Sequence, residues 1–223
     1  MDLSIAICPS TPLLVPELGG EAAQETAELR AAAVTAVRGL PKRWIAVGVG
    51  DGSYRDEVSG TFAGYGVDVR VSLSDRFAGP VELPLPALIA GWLRARVGAD
   101  AAEVRLIASG DADGVRLGRA LRSEIEAQPA PPGVLVIADG ANTLTDKAPG
   151  GHRADAAEAQ TALADALAHG DAASLHHLPA VITGGAAYQV LAGLAGTDAV
   201  EARCLYRGAP YGVGYFAGTW RVS

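Results

Sequence analysis

The chain has 223 residues, 49% of them hydrophobic and 19% charged, with a formal net charge of −7. That length supports one substantial core, so a single domain over residues 1–223 is expected; the composition is too apolar for disorder, and no apolar run approaches the roughly 18 residues of a membrane span. The acidic balance repels a phosphate backbone and the basic residues are scattered without a run, which argues against nucleic acid or a membrane as a partner.

Leu3 to Cys8 is a short apolar run that stops at Pro9, and Asp2 stands where a secretory signal needs a base. It reads as a first strand, and the protein as cytoplasmic. Cys8 and Cys204 have no redox or metal-cluster spacing and read as free thiols. From Glu21 to Arg38 the positions Leu29, Ala33, Val34 and Val37 recur at helical spacing, with Glu21 and Glu25 at the end where the helix dipole favours negative charge and Gly39 placed to stop it. Arg43 to Val49 is a second buried strand, so the first 50 residues have the form of a parallel crossover.

Asp51 to Thr61 is polar and Gly-bearing, and Val67 to Leu73 alternates as a half-exposed strand does. Beyond the prolines at 80, 84 and 86, Leu85, Leu88, Ile89, Trp92 and Leu93 mark a helix face. Val104 to Ala108 is a third buried strand, followed by a helix carrying Leu117, Leu121 and Ile125. Val134 to Ala138 is the most apolar strand of the chain. Asp155 and Glu158 have the form of an acidic capping box before a helix with Leu163 and Leu167 that Gly170 can end. A short helix at 172–178, a helix from Ala186 to Ala195 and a glycine-broken, strand-like tail from Val200 to Val222 complete the chain. The alternation predicts a three-layer α/β/α sandwich around a largely parallel sheet.

In such a sheet, ligands bind beyond the carboxyl ends of the strands. Those ends carry Ser10 and Thr11, then Asp51 and Ser53, then Ser109 and Asp111, then Asp139, Asn142 and Thr143. Asp51 and Asp139 stand out, because each follows an apolar strand inside a glycine-bearing turn. Gly48-Val49-Gly50-Asp51-Gly52-Ser53 is a poor dinucleotide loop, since Ser53 replaces the third glycine and the loop follows the second strand. Neither a serine-hydrolase elbow nor a Walker loop is present. The four histidines, His152, His169, His176 and His177, lack metal-ligand spacing, and only His152 lies near a strand end, where an imidazole could act as acid, base or donor.

Three further stretches form a pattern. They are the opening Cys8-Pro9-Ser10-Thr11-Pro12-Leu13-Leu14-Val15-Pro16-Glu17-Leu18, the segment Val136-Ile137-Ala138-Asp139-Gly140-Ala141-Asn142-Thr143, and the later pair Tyr188-Gln189-Val190-Leu191-Ala192-Gly193 and Ala209-Pro210-Tyr211-Gly212-Val213-Gly214-Tyr215. In this order they resemble the class III extradiol dioxygenase superfamily, the LigB-like and Memo-like proteins, over nearly the whole chain. The resemblance implies a LigB-like fold. In active members a ferrous iron is held by two histidines and a glutamate, with open sites for a catechol and dioxygen, and another histidine acts as acid and base.

By that resemblance, Ser10 stands in place of the first histidine ligand, and Asp51 is the nearest ligand-capable residue at the end of the second strand. Asn142 or Thr143 stands at the catalytic-histidine position, and Glu201 is a counterpart of the glutamate. A serine hydroxyl is a poor ligand for ferrous iron. The expectation is therefore a LigB-like protein without the iron site, requiring no cofactor and keeping the fold for a binding or unassigned role towards a small molecule at the strand ends. Two alternatives stay open: an enzyme using Asp51 and Asp139 with Mg²⁺ or Mn²⁺, and a dioxygenase holding Fe²⁺ through a ligand from elsewhere, such as His152. The glycine-rich aromatic segment around Tyr211, Tyr215 and Trp220 fits either core packing or a homo-oligomer contact.

Overall fold

The computed structural model describes residues 2–76, 79–108 and 113–223. Its strands are β1 (Leu3–Cys8), β2 (Arg43–Val49), β3 (Ser53–Tyr54), β4 (Val58–Thr61), β5 (Arg70–Ser72), β6 (Gly79–Pro80), β7 (Ala101–Ile107), β8 (Gly133–Ile137), β9 (Val200–Gly208) and β10 (Tyr215–Val222). The helices are α1 (Pro16–Gly19), α2 (Ala27–Arg38), α3 (Leu85–Val97), α4 (Gly114–Glu126), α5 (Ala156–His169) and α6 (Gly185–Ala195). A seven-stranded sheet runs in the order β3-β7-β2-β8-β1-β10-β9, and β4, β5 and β6 form a small separate sheet. The inner strands β7, β2, β8 and β1 are parallel, while β3 and the β10-β9 pair close the edges antiparallel.

β1, β2 and β8 are buried on both faces over most of their length, whereas β7 is half-buried and carries Glu103 and Arg105. Ile5, Ile7, Ile45, Val47, Val134 and Val136 point into one core with residues of α4, α5 and α6. Ala6, Cys8, Trp44, Ala46, Leu135 and Ile137 point into the other with residues of α2 and α3. The result is a mixed α/β fold with a mostly parallel central sheet between two helical layers. No helix among the described residues is long and apolar enough to cross a membrane.

Four elements differ from their sequence-based expectation. The second helix begins at Ala27 instead of Glu21, because Gly20 at φ 50° and a 3₁₀ turn over Gly20–Gln24 interrupt the path. There the buried Thr26 hydroxyl donates to Leu13 O at 3.2 Å and Arg30 Nε donates to Leu14 O at 3.0 Å, which fixes the entry of the chain. The strand expected over Val67 to Leu73 shrinks to Arg70–Ser72, with the Asp68 carboxylate taken by the Thr61 hydroxyl at 2.6 Å. Asp155 precedes α5 without capping it, because Arg153 holds both its oxygens. The expected short helix at 172–178 is a 3₁₀ turn over Ala173–Leu175. Ser109 and Asp111 lie outside the described residues.

Helices α4 and α6 approach unusually closely, since Gly118 faces Val190 O and Gly193 Cα while Gly193 faces Val115 O. Helix propensity alone favours Gly118→Ala by nearly 1 kcal/mol. An added methyl would press on backbone that cannot rotate away, so the steric term wins. Gly118→Ala should lower stability by about 1–3 kcal/mol, read as a lower urea midpoint with an unchanged slope; an unchanged or higher midpoint would show that the helices can part at little cost.

Candidate functional site at the ends of β1 and β8

β8 lies between β2 and β1, and the chain leaves it in the opposite sense to its neighbours. β1 and β2 lead into α2 and α3 on one face, whereas β8 leads into α5 on the other. Divergence of adjacent connections to opposite faces marks the usual ligand position in an open α/β sheet, beyond the strand ends. Asp139 follows β8 there and Ser10 follows β1.

The two are joined directly. Ser10 N–H donates to Asp139 Oδ1 at 2.7 Å. Below this bond β1 and β8 pair in register up to Cys8 and Ile137, and Ala138 N–H donates to Cys8 O at 3.0 Å. Two phenols flank the carboxyl. Tyr188 on α6 is fully buried and donates to Ala138 O at 3.0 Å, and Tyr215 at the start of β10 shares a 3.2 Å hydrogen bond with the buried Thr11 hydroxyl.

The loop after β8 is held on three sides. Thr183 donates through its hydroxyl to Gly140 O at 2.8 Å, and Gly184 N–H to Asp139 O at 2.9 Å. Gly140 and Ala141 exchange backbone hydrogen bonds with Gly214, both at 2.8 Å. Gln160 of α5 accepts from Ala141 N–H at 2.8 Å, and its amide fills the space that a side chain on Gly140 or Gly214 would need. These glycines allow the amide to lie against the loop backbone.

Asp139 is half-buried, and the loss of water around its carboxyl pushes its pKa up to about 7, against the opposing pull of the Ser10 N–H. Burial pushes Tyr215 up to about 12, opposed by the Thr11 hydrogen bond and reinforced by the nearby Asp139 charge. Burial raises Tyr188 in the same way, with Asp139 and Cys8 adding to the effect, and burial also raises the Cys8 thiol. The phenols and the thiol therefore stay protonated at neutral pH, and Asp139 alone in the crevice titrates there. A carboxyl so poised can accept or deliver a proton, which is the chemistry the arrangement offers.

The other candidate residues separate from this pair to different degrees. Asn142 is half-buried and accepts from Gly150 N–H through its carbonyl at 3.0 Å. Thr143 is buried, with a hydroxyl that has no hydrogen-bond partner among the described residues. His152 is exposed and bridges Leu144 through the backbone further along the same loop. Asp51 is exposed; from there the chain turns through Gly52 at φ 95° into β3, which carries the exposed Ser53 to the outer edge beyond β7. Glu201 is exposed on β9 opposite Arg221, itself opposite Ser4, so it sits at the other end of β1 from Ser10.

In the sequence Tyr188 and Tyr215 stand out only as members of the stretches that carry the resemblance, Tyr215 also as a core or oligomer contact, and nothing ties either of them, or Gln160, to the Asp139 loop. Among the described residues no group of three or more His, Cys, Asp or Glu side chains is placed to hold a metal ion. The donor set around Asp139 therefore does not fit an iron held by two histidines and a glutamate. Asp139 lines none of the four grooves described on the surface. Topology and carboxyl chemistry, not cavity size, single out this crevice. The chain matches no known family model and no curated protein.

Burial of Asp139 has a measurable sign. Its folded pKa of about 7 lies above the unfolded value. Native protein thus keeps a proton that the unfolded chain releases from about pH 4 upward, so this group's contribution is complete in acid and declines until pH passes its folded pKa. Asp139→Asn keeps an acceptor for Ser10 N–H and should flatten the fall in unfolding free energy between about pH 4 and 7. Urea titrations of both proteins across that range test this; parallel pH profiles would place the Asp139 carboxylate in contact with water.

Proposed function

We propose that this is a LigB-like protein of the class III extradiol dioxygenase superfamily that has left dioxygen chemistry, and that it binds a small molecule at the crevice where β1 and β8 end. The observation that carries this reading is the Ser10–Asp139 hydrogen bond. At the strand end where the resemblance calls for a histidine ligand, the chain supplies a serine whose backbone N–H binds a carboxyl oxygen. An oxygen so engaged is less available to a cation. A carboxyl titrating near neutrality suits proton-coupled recognition of a polar ligand group, because its neutral form donates a hydrogen bond and its charged form accepts one.

Two measurements decide it. Protein purified without chelator should contain no stoichiometric metal, and added Fe²⁺, Mn²⁺ or Mg²⁺ should leave its melting temperature unchanged. Anaerobic iron loading followed by catechol and dioxygen should give no yellow ring-cleavage product. Ring cleavage would overturn the proposal in favour of a dioxygenase with an unorthodox ligand such as His152. A Mg²⁺ or Mn²⁺ stabilisation that Asp139→Asn abolishes would replace it with a carboxylate-based metal enzyme.

A further inference from the structure

A second feature lies away from the strand ends, on the outer surface of the α2–α3 layer. A groove of about 540 Å³ runs between these helices, within the range of small-ligand sites. Every charged residue lining it is an arginine: Arg30 and Arg38 from α2, Arg96 from α3. In a chain of net charge −7, such a local concentration of one sign is opposite to the field of the whole.

The cations are only partly compensated. Arg30 is anchored by Leu14 O, Ala23 O and the Thr26 hydroxyl, all neutral acceptors. Arg96 meets Glu17 at 3.8 Å, a long and half-exposed contact, and otherwise lies over the Trp92 ring at 4.6 Å. Burial and the neighbouring Arg96 charge both depress the Arg30 pKa, so the two guanidinium groups repel each other, with Glu17 offsetting only part of this.

Trp92 supplies an independent observation. The chain has three tryptophans. Trp44 Nε1–H donates to Pro41 O at 2.7 Å and Trp220 Nε1–H to Leu167 O at 2.8 Å. Trp92, only 3% exposed and part of the groove wall, has an Nε1–H with no partner among the described residues. An unpaired buried donor is costly, and native structures rarely keep one without a reason.

We infer that this groove is a binding site for a small organic phosphate, its dianion held by Arg30, Arg38 and Arg96 and its organic body lying on Val34 and Trp92. Guanidinium groups match a tetrahedral oxyanion through paired N–H donors, and three of them suit a dianion better than a carboxylate. The acidic balance of the chain disfavours an extended polyanion, so the ligand is a small molecule.

The test uses the full chain labelled with ¹⁵N, in which the Trp92 indole signal is assigned by its loss in Trp92→Phe. Titration with phenyl phosphate should move that signal saturably, and inorganic phosphate should do so more weakly. Arg38→Gln and Arg96→Gln should each weaken binding about tenfold or more, as expected for loss of a charge-assisted hydrogen bond. Both variants leave the Arg30 anchor intact, and Arg38→Gln, which also leaves the Arg96–Trp92 contact, should keep the wild-type melting temperature. No saturable movement, the same movement with sodium chloride at matched ionic strength, or undiminished binding in both variants would overturn the site. Equal affinity for the two phosphates would overturn the organic part. None of these outcomes bears on the Asp139 crevice, which shares no residue with the groove.

Discussion

Burial of β1, β2 and β8 on both faces is the constraint from which the rest of the molecule follows. A strand in that position can place a polar side chain nowhere along its length without leaving it unpaired in one core or the other. β8 shows the rule in full, since every residue from Gly133 to Ile137 is buried. Its first polar side chain is Asp139, immediately beyond the sheet, and the first after β1 is Ser10. Chemistry is thereby displaced to the carboxyl ends, and pairing of β1 with β8 brings these two ends together.

Adjacency alone does not make a poised carboxyl. Asp139 sits under a loop whose backbone is tied to Thr183 and Gly184, to Gly214, and through Gln160 to α5. Those bonds satisfy the loop's main chain and leave the carboxyl oxygen with one N–H donor, that of Ser10, against the loss of solvent. Desolvation exceeds what one backbone hydrogen bond returns, which is why the pKa rises instead of falling. A carboxylate receiving two or three such donors in the same position would be acidic. The number of donors around Asp139 thus sets its protonation near neutral pH.

The sequence made the layers legible because the signals were physical and local. β1, β2 and β8 are continuous apolar runs ended by Pro, Gly or Asp, and α3 to α6 carry helical stripes, with Gly98 closing α3 and Gly170 closing α5 in the left-handed region. The ligand crevice was legible to the extent that strand order determines it: Ser10, Thr11 and Asp139 meet because β1 neighbours β8. The same reasoning grouped Asp51 and Ser53 with them, and the resemblance added Glu201. No local pattern reveals that the chain after β2 turns outward to pair with β7, or that β9 runs antiparallel and carries Glu201 to the far end of β1. Tyr188, Tyr215 and Gln160 were hidden for a related reason. Their importance lies in which loop they touch, and residues this distant in sequence are related only by the folded topology.

The Arg30–Arg96 groove shows the opposite limit. Net charge excludes partners for the molecule as a whole, yet the −7 balance is an average over a surface on which basic residues were scattered in sequence. Folding α2 against α3 collects into one groove arginines that the five strands β2 to β6 separate in sequence, and among the described residues Glu17 is the acid that meets Arg96. On the reading proposed for this groove, the Arg30–Arg96 repulsion and the Trp92 N–H, which has no partner among the described residues, are costs that a bound oxyanion would offset. Composition therefore argues correctly against a polyanionic partner and has no bearing on a small anion, because repulsion summed over a long phosphate backbone grows with its length whereas a single phosphate feels chiefly the charges within a Debye length.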